Sequence, residues 1–231
     1  MTITAITAAC HRPEAWALCE RYMARQTVKP DQWLVLDGDD PKTVCTMGQE
    51  YVFNADWVGR DNMPTKIIYA LENNLIKGDA VVFWEYDDWY ASNWIQTCIA
   101  GLKNYDMFGE GDALYYNVKH RFWSSAGNAR HASLCQTAIR RSLFDGLFNV
   151  CQSKHPFFDT RLWQLNCRKW LFLPKDGRRK LIGIKAMPGR LGYSAEHAMK
   201  FPKEVRHDPS LFKLWQLIGD DAAAYLPFYE H

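Results

Sequence analysis

Residues 80–90 read AVVFWEYDDWY, an apolar run that ends in a cluster of acidic residues. The run from residue 80 to residue 84 predicts a buried strand. Glu85, Asp87 and Asp88 follow it directly, so we expect them at the carboxyl edge of a sheet, where open α/β sheets bind their ligands. Carboxylate oxygens at such an edge suit Mg²⁺ or Mn²⁺, and either cation suits a diphosphate. A solvated turn after a strand is the alternative interpretation.

The first forty residues predict a strand, a helix and a second strand, with polar groups gathered at one edge. ITAITA at residues 3–8 is typical of a buried strand, and Pro13 and Glu14 are helix-start signals. QWLVL at residues 32–36 predicts the second strand, which DGDDP at residues 37–41 closes. Two successive strands thus end in acidic, turn-forming residues, which favours an α/β fold with its chemistry at one sheet edge.

Taken in order, these segments resemble the nucleotide-sugar domain of GT-A glycosyltransferases, above all the large family-two group. The matching segments are residues 7–13, 37–40, 62–70, 85–88 and 182–190. Glu85 stands where the family has the first aspartate of its Asp-x-Asp motif. The resemblance implies an α/β fold of the GT-A, Rossmann-like type, with a mixed, mostly parallel sheet flanked by helices. It also implies an enzyme that moves a sugar from a nucleotide-sugar, above all a UDP-sugar, to an acceptor hydroxyl.

The resemblance also assigns roles to individual residues. It implies that Asp87, expected as an exposed carboxylate, binds Mn²⁺ or Mg²⁺, and that His197 in the late loop completes the metal site. A neutral imidazole suits Mn²⁺, and this loop could fold over the diphosphate; a surface histidine on a short helix starting at Ser194 is the alternative. The implied contacts to the nucleotide-sugar are Thr7, Ala8, Arg12, Asp37, Arg60, Lys66, Glu85, Tyr86, Asp88, Lys185 and Arg190.

Several of these side chains have a structural alternative. Asp37 could accept a hydrogen bond from the uracil imide, or it could satisfy the backbone of its own turn. Asp88 could hold a metal-bound water or the ribose, and Glu85 could face the nucleotide, or either could cap the following turn. Lys185 and Arg190 are candidate phosphate partners, and ordinary solvated charges otherwise.

An inverting transferase also needs a carboxylate that removes the proton of the acceptor hydroxyl. FFDTRLW at residues 157–163 resembles the helix start that carries this base in related enzymes, so Asp159 is the candidate. The alternative is a helix N-cap, and a retaining mechanism would require no such base. Helices are predicted over residues 138–148 and 159–170.

Length and composition favour one domain. A chain of 231 residues that is 48% hydrophobic can bury a full core. We therefore expect a single catalytic domain over residues 1–231, with a nucleotide-sugar half at residues 1–104 and an acceptor half at residues 105–231. The aromatic tail after Pro202 has no predicted placement.

The same composition bears on the location and class of the protein. The sequence has no apolar stretch of about twenty residues and no basic leader before its first strand, so we expect no membrane span and a cytoplasmic protein. Its seven cysteines include no C-x-x-C pair, which argues against a zinc cluster and a disulfide framework. A net charge of +2 does not by itself favour nucleic-acid binding.

Residues 112–141 mix aromatic and basic side chains and form the expected acceptor region. They include Tyr115, Tyr116, His120, Arg121, Phe122, Trp123, Arg130, His131, Arg140 and Arg141. Such a mixture can stack on sugars, or it can bind unstacked bases and phosphates. Two acceptor classes stay open: a glycan, lipid-linked or small-molecule acceptor, and a hydroxymethylated DNA base of the kind that phage DNA glycosyltransferases modify. The alternative to an enzyme is a non-catalytic GT-A-like domain that binds a nucleotide or nucleic acid.

Overall fold

A computed structural model describes residues 1–10, 12–38, 42–57, 63–153, 155, 157–174, 179–189 and 205–229. Its strands are β1 (Ile3–Ala9), β2 (Gln32–Asp37), β3 (Glu50–Phe53), β4 (Ala80–Phe83), β5 (Trp89–Tyr90), β6 (Met107–Glu110), β7 (Leu114–Asn117), β8 (Phe122–Ser125), β9 (Thr137–Arg140), β10 (Lys169–Phe172), β11 (Leu181–Lys185) and β12 (Arg206–His207). Its described α-helices are α1 (Pro13–Ala24), α2 (Met63–Glu72), α3 (Trp94–Leu102), α4 (Phe144–Gln152), α5 (Phe158–Leu162) and α6 (Phe212–Ile218). Short 3₁₀ helices span Ala55–Trp57, Leu134–Gln136, Arg141–Leu143 and Gly219–Phe228.

The main sheet has seven strands in the order β10-β6-β9-β4-β1-β2-β3. β9 runs antiparallel to both of its neighbours, and the other adjacent strands are parallel. β1, β2, β3, β4, β6 and β10 therefore end at the same edge of the sheet. All six residues of β2 are buried, as expected for a parallel strand covered on both faces. The predicted α/β architecture, with a mostly parallel sheet flanked by helices, is confirmed.

Two apolar clusters pack on opposite faces of this sheet. Alternate residues of β1 enter different clusters, because successive side chains of a strand point to opposite faces. Ala5 joins the cluster that contains Trp16 of α1 and Trp94 of α3. Ile6 joins the cluster that contains Ile67 of α2 and Leu147 of α4. None of the described helices combines the length and the apolar character needed to cross a bilayer.

A second sheet of five strands lies beside the acidic residues that follow β4. Its order is β12-β8-β7-β11-β5, with β7 and β11 parallel and the other pairs antiparallel. β5 begins at Trp89, directly after Asp88, and pairs with Ile182 and Leu181 of β11. The acidic residues thus connect the two sheets.

The aromatic tail packs against α1 and β5. Asp221, in the 3₁₀ helix Gly219–Phe228, is buried and accepts a hydrogen bond from the indole nitrogen of Trp89 at 2.7 Å. The same carboxylate pairs with Arg21 at 3.1 Å and with Arg25. The chain end is therefore fixed beside the strand that leaves the acidic residues.

Two helix predictions in the second half were wrong in extent. Residues 138–148 contain the end of β9 as well as the start of α4, and the helix predicted over residues 159–170 ends at Leu162. β10 begins at Lys169 and pairs in parallel with β6. The strand positions are set by long-range pairing, which a local pattern does not report.

Candidate functional site

The carboxyl edge of the main sheet gathers charged residues from segments far apart in sequence. Arg12 follows β1, Asp37 ends β2, and Glu110 ends β6. Residues 85–88, which we call the acidic turn, follow β4. The loop at residues 186–189 follows β11 of the second sheet. The parallel direction of β1, β2, β4 and β6 places the residues at or after their ends at one edge of the main sheet, and the sequence pattern predicted this for β2 and β4.

Arg12 links three of these segments. Its Nη1 donates to Asp87 Oδ2 at 2.8 Å, and the exposed fractions of the two side chains are only 4% and 9%. Nη2 and Nε donate to the carbonyl oxygens of Met187 and Pro188, at 3.0 and 3.3 Å. Burial acts to lower the pKa of Arg12, but Asp87, Tyr86 and Cys10 together outweigh it and the pKa is raised. The expectation that Asp87 is an exposed carboxylate was wrong, because Arg12 and the loop at 186–189 cover it.

Gly189 allows this loop to approach Arg12. Its φ angle of +100° lies in the region that favours glycine, and a Cβ there would be 2.8 Å from Arg12 Cγ. A side chain at this position would therefore push the loop away from the guanidinium.

Asp88 and Lys185 form a second buried pair. Asp88 Oδ1 accepts from the backbone nitrogen of Ile184 at 2.9 Å and lies 3.4 Å from Lys185 Nζ. Burial acts to lower the pKa of the Lys185 ammonium, but the Asp88, Asp87 and Glu85 carboxylates outweigh it and raise the pKa. Lys185 therefore remains charged and lies within the field of the whole acidic turn.

A group of possible metal ligands lies on the same turn. One ligand atom each of Glu85, Asp88 and Cys135 lies within 4.8 Å of the others. Asp88 Oδ2 is buried and has no hydrogen-bond partner among the described residues. The carboxylate oxygens of Glu85 and Asp88 fit a hard divalent cation such as Mg²⁺ or Mn²⁺. Burial raises the pKa of the Cys135 thiol well above its ordinary value, so the carboxylates are the stronger ligands here. No motif around Cys135 indicated this position in advance.

Asp37 and Lys66 contact the backbone near the ends of β2 and β1. Asp37 is buried, and its Oδ2 accepts from the backbone nitrogen of Thr43 at 2.8 Å and from the Tyr51 hydroxyl at 2.7 Å. These contacts match the alternative in which Asp37 satisfies the local turn. Lys66 Nζ donates to the carbonyl oxygen of Ala9 at 2.9 Å, so this ammonium contacts the last residue of β1.

The remaining predicted nucleotide contacts in the described chain surround the end of β1. The Thr7 hydroxyl accepts from the Trp33 indole nitrogen at 2.9 Å, and Ala8 is half-buried. The Tyr86 hydroxyl is hydrogen-bonded to Cys10 Sγ and accepts from Arg12 Nη1 at 3.4 Å. Burial raises the pKa of Tyr86, so its hydroxyl stays protonated. Arg60, Arg190 and His197 lie outside the described residues.

Asp159 lies in the first turn of α5, with Phe157 as the N-cap. Its Oδ1 accepts from the backbone nitrogen of Thr160 at 2.8 Å. Burial raises the pKa of Asp159, and nearby His131 and His155 oppose the rise. Among the described contacts, none joins Asp159 directly to the acidic turn.

Glu110 is a carboxylate at this edge that the sequence analysis missed. It is fully buried at the end of β6, and its Oε2 accepts from the backbone nitrogen of Lys180 at 2.8 Å. Burial raises the pKa of Glu110 to about 7. The signal was present, because MFGE at residues 107–110 repeats the pattern of a strand that ends in an acidic residue.

Comparisons with known proteins show the fold. No protein-family profile matches the chain, and no curated protein matches it in sequence. S. aureus TarS 1-349 superposes with a TM-score of 0.53 at 11% identity, covering 80% of this chain and 60% of that chain. Its complex with UDP-GlcNAc gives a TM-score of 0.54 at 13% identity, covering 85% of this chain and 61% of that chain. This chain thus spans about 60% of the length of these structures. At such identities the likeness shows a shared fold, and the predicted GT-A-like fold is confirmed.

Proposed function

We propose that this chain is a nucleotide-sugar glycosyltransferase that binds a UDP-sugar at the carboxyl edge of the main sheet. The observation that carries the proposal is the set of contacts of Arg12, which joins the end of β1 to Asp87 and to the loop at 186–189. S. aureus TarS shares the fold, and its structures include complexes with UDP and with UDP-GlcNAc, which supports the same class of donor.

Cleavage of the donor leaves negative charge on the diphosphate oxygen, and the site must stabilise it. A divalent cation would supply Lewis-acid stabilisation of that charge. Asp87 and His197 are the proposed ligands, and Glu85 and Asp88 offer the further oxygens grouped on the acidic turn. Lys185 keeps Asp88 in position through their buried ion pair.

Transfer with inversion requires a base on the acceptor side, and Asp159 is our candidate. Burial raises the pKa of its carboxylate, which makes Asp159 a stronger base than an exposed aspartate. Its location on α5, in the half of the chain after residue 104, agrees with a role on the acceptor rather than on the nucleotide.

Binding of UDP with and without Mn²⁺, measured by calorimetry, tests the donor site. We expect UDP to bind in Mn²⁺ and to bind more weakly in EDTA, and Glu85→Gln to reduce this difference. Asp145→Asn is the matched control, because Asp145 is an exposed carboxylate on α4, at the other end of the sheet. Equal affinity in EDTA would remove the cation from the proposal, and no binding of UDP would overturn it.

The Asp159→Asn variant tests catalysis separately from donor binding. With water as the stand-in acceptor, we expect single-turnover hydrolysis of UDP-GlcNAc to fall by about 10²-fold to 10⁴-fold, while the Kd for UDP stays unchanged. Unaltered hydrolysis would remove the base and favour a retaining mechanism. A wild-type chain that binds UDP-GlcNAc without any turnover would be a nucleotide-binding domain instead.

A further inference from the structure

The β12 side of the second sheet concentrates basic side chains. Residues 119–123 and 205–213 come together there because β8 and β12 pair antiparallel. Their basic side chains, which we call the basic rim, are Lys119, His120, Arg121, Arg206, His207 and Lys213. The one acidic residue in these two segments is Asp208, which is buried and accepts from the Tyr116 hydroxyl at 2.9 Å. In a chain with a net charge of +2, this clustering marks a surface for an anionic partner.

Aromatic rings alternate with these basic side chains on both faces of β8. On one face, the Phe122 ring lies 6.4 Å from His120 in a parallel arrangement and 6.5 Å from His207. On the other face, Arg206 and Lys213 lie 4.9 and 4.8 Å from the centre of the Trp123 ring. Rings combined with cations are the pattern that binds unstacked bases and backbone phosphates. A polyanion without bases would need the cations alone.

A cross-strand row connects this edge to the acidic turn. Lys185 lies opposite Asn117, Asn117 opposite Phe122, and Phe122 opposite His207. The two ends of the row are three strand spacings apart, a distance of about 14 Å. At the inner end, Lys185 lies 3.4 Å from Asp88. A chain held at the edge is therefore within a few nucleotides of the candidate donor site.

We propose that the basic rim binds single-stranded nucleic acid and thereby holds an acceptor nucleotide near the acidic turn. Binding at the rim stands on the charges and rings alone. The acceptor role rests on the proposed glycosyltransferase function.

Fluorescence anisotropy with a labelled oligo(dT) strand of about 12 nucleotides tests the inference. We expect the wild type to bind the strand more weakly as the salt concentration rises. In the double variant Lys119→Gln/Arg206→Gln, the slope of log Kd against log salt concentration should fall by about 1.4, because two phosphate contacts are lost. Lys77→Gln/Lys103→Gln removes two exposed lysines away from the rim and is the matched control. Equal slopes in both double variants, or no binding by the wild type, would overturn the inference.

Phe122→Leu distinguishes nucleic acid from other polyanions. We expect this variant to bind oligo(dT) about 10-fold more weakly, because base stacking is lost, and to bind polyphosphate as the wild type does. If polyphosphate and oligo(dT) respond alike to every variant, the rim is a general polyanion site and the nucleic-acid assignment is wrong. Measuring UDP binding by the wild type in the same samples separates the two proposals: strand binding without UDP binding would remove only the glycosyltransferase.

Discussion

At the scale of single residues, the Arg12–Asp87 pair makes the acidic turn part of the packing as well as of the candidate chemistry. Asp87→Asn would leave a nearly buried guanidinium without its counter-charge. We expect the free energy of unfolding to fall by about 3 kcal/mol. Denaturant unfolding of Arg12→Met, of Asp87→Asn and of the double variant measures the coupling free energy between the two side chains. Strictly additive losses of unfolding free energy would contradict the pairing. A loss of activity in Asp87→Asn is therefore interpreted together with the measured stability of this variant.

Glu110 gives the protein a pH dependence that can be isolated. Because burial raises its pKa to about 7 in the folded protein, the folded state binds a proton more tightly than the unfolded state. The stability that Glu110 contributes is thus fully present below about pH 4.5 and declines as the pH rises through 7. We expect unfolding experiments at pH 5 and pH 8 to show a decline of up to about 3 kcal/mol that Glu110→Gln removes. The same decline in both proteins would assign it to other groups.

At the scale of elements, Asp221 joins the tail to the strand that leaves the acidic turn. Asp221→Ala removes the acceptor of Trp89 Nε1 and the partner of Arg21 and Arg25. We expect it to lower the free energy of unfolding by about 3 kcal/mol. Asp220→Ala is the matched control, since Asp220 is the exposed neighbour, and its effect should stay within about 0.5 kcal/mol. Thermal unfolding of both variants measures the two losses of stability. Equal losses would mean that Asp221 does not anchor the tail to α1 and β5.

The elements also show where sequence reasoning succeeds. β1, β2 and β4 were predicted because each is a short, mostly apolar run followed by polar, turn-forming residues, a purely local pattern. β9 was missed because TAIR at residues 137–140 is too short to distinguish a strand from a helix segment. Its place between β4 and β6 depends on pairings with residues 28 to 60 positions away. Likewise, Arg12 is 75 residues from Asp87 and 175 residues from Met187 in the loop at 186–189, so no local sequence pattern could indicate these contacts.

At the scale of the whole molecule, the two halves of the chain are interleaved. β4 of the first half pairs with β9 of the second half, and β5 pairs with β11. The tail at Asp221 returns to α1. The site is divided in the same way, because Lys185 of β11 pairs with Asp88 of the acidic turn. Residues 1–104 and residues 105–231 therefore both contribute strands to each of the two sheets rather than forming separate sheets.

This interleaving predicts the behaviour of a fragment. A chain of residues 1–104 keeps β1 to β5 but loses β9, which pairs with β4, and β11, which pairs with β5, and so exposes an apolar strand edge. Burial of the apolar side chains on α3 also depends on β6, because Phe108 packs against Trp94 and Gly101. We expect the fragment to show no cooperative unfolding transition and to aggregate, whereas the full chain unfolds cooperatively. Circular dichroism during urea unfolding of both chains is the measurement. If the fragment by itself unfolds in a cooperative transition, residues 1–104 form a domain that folds independently, and the prediction is wrong.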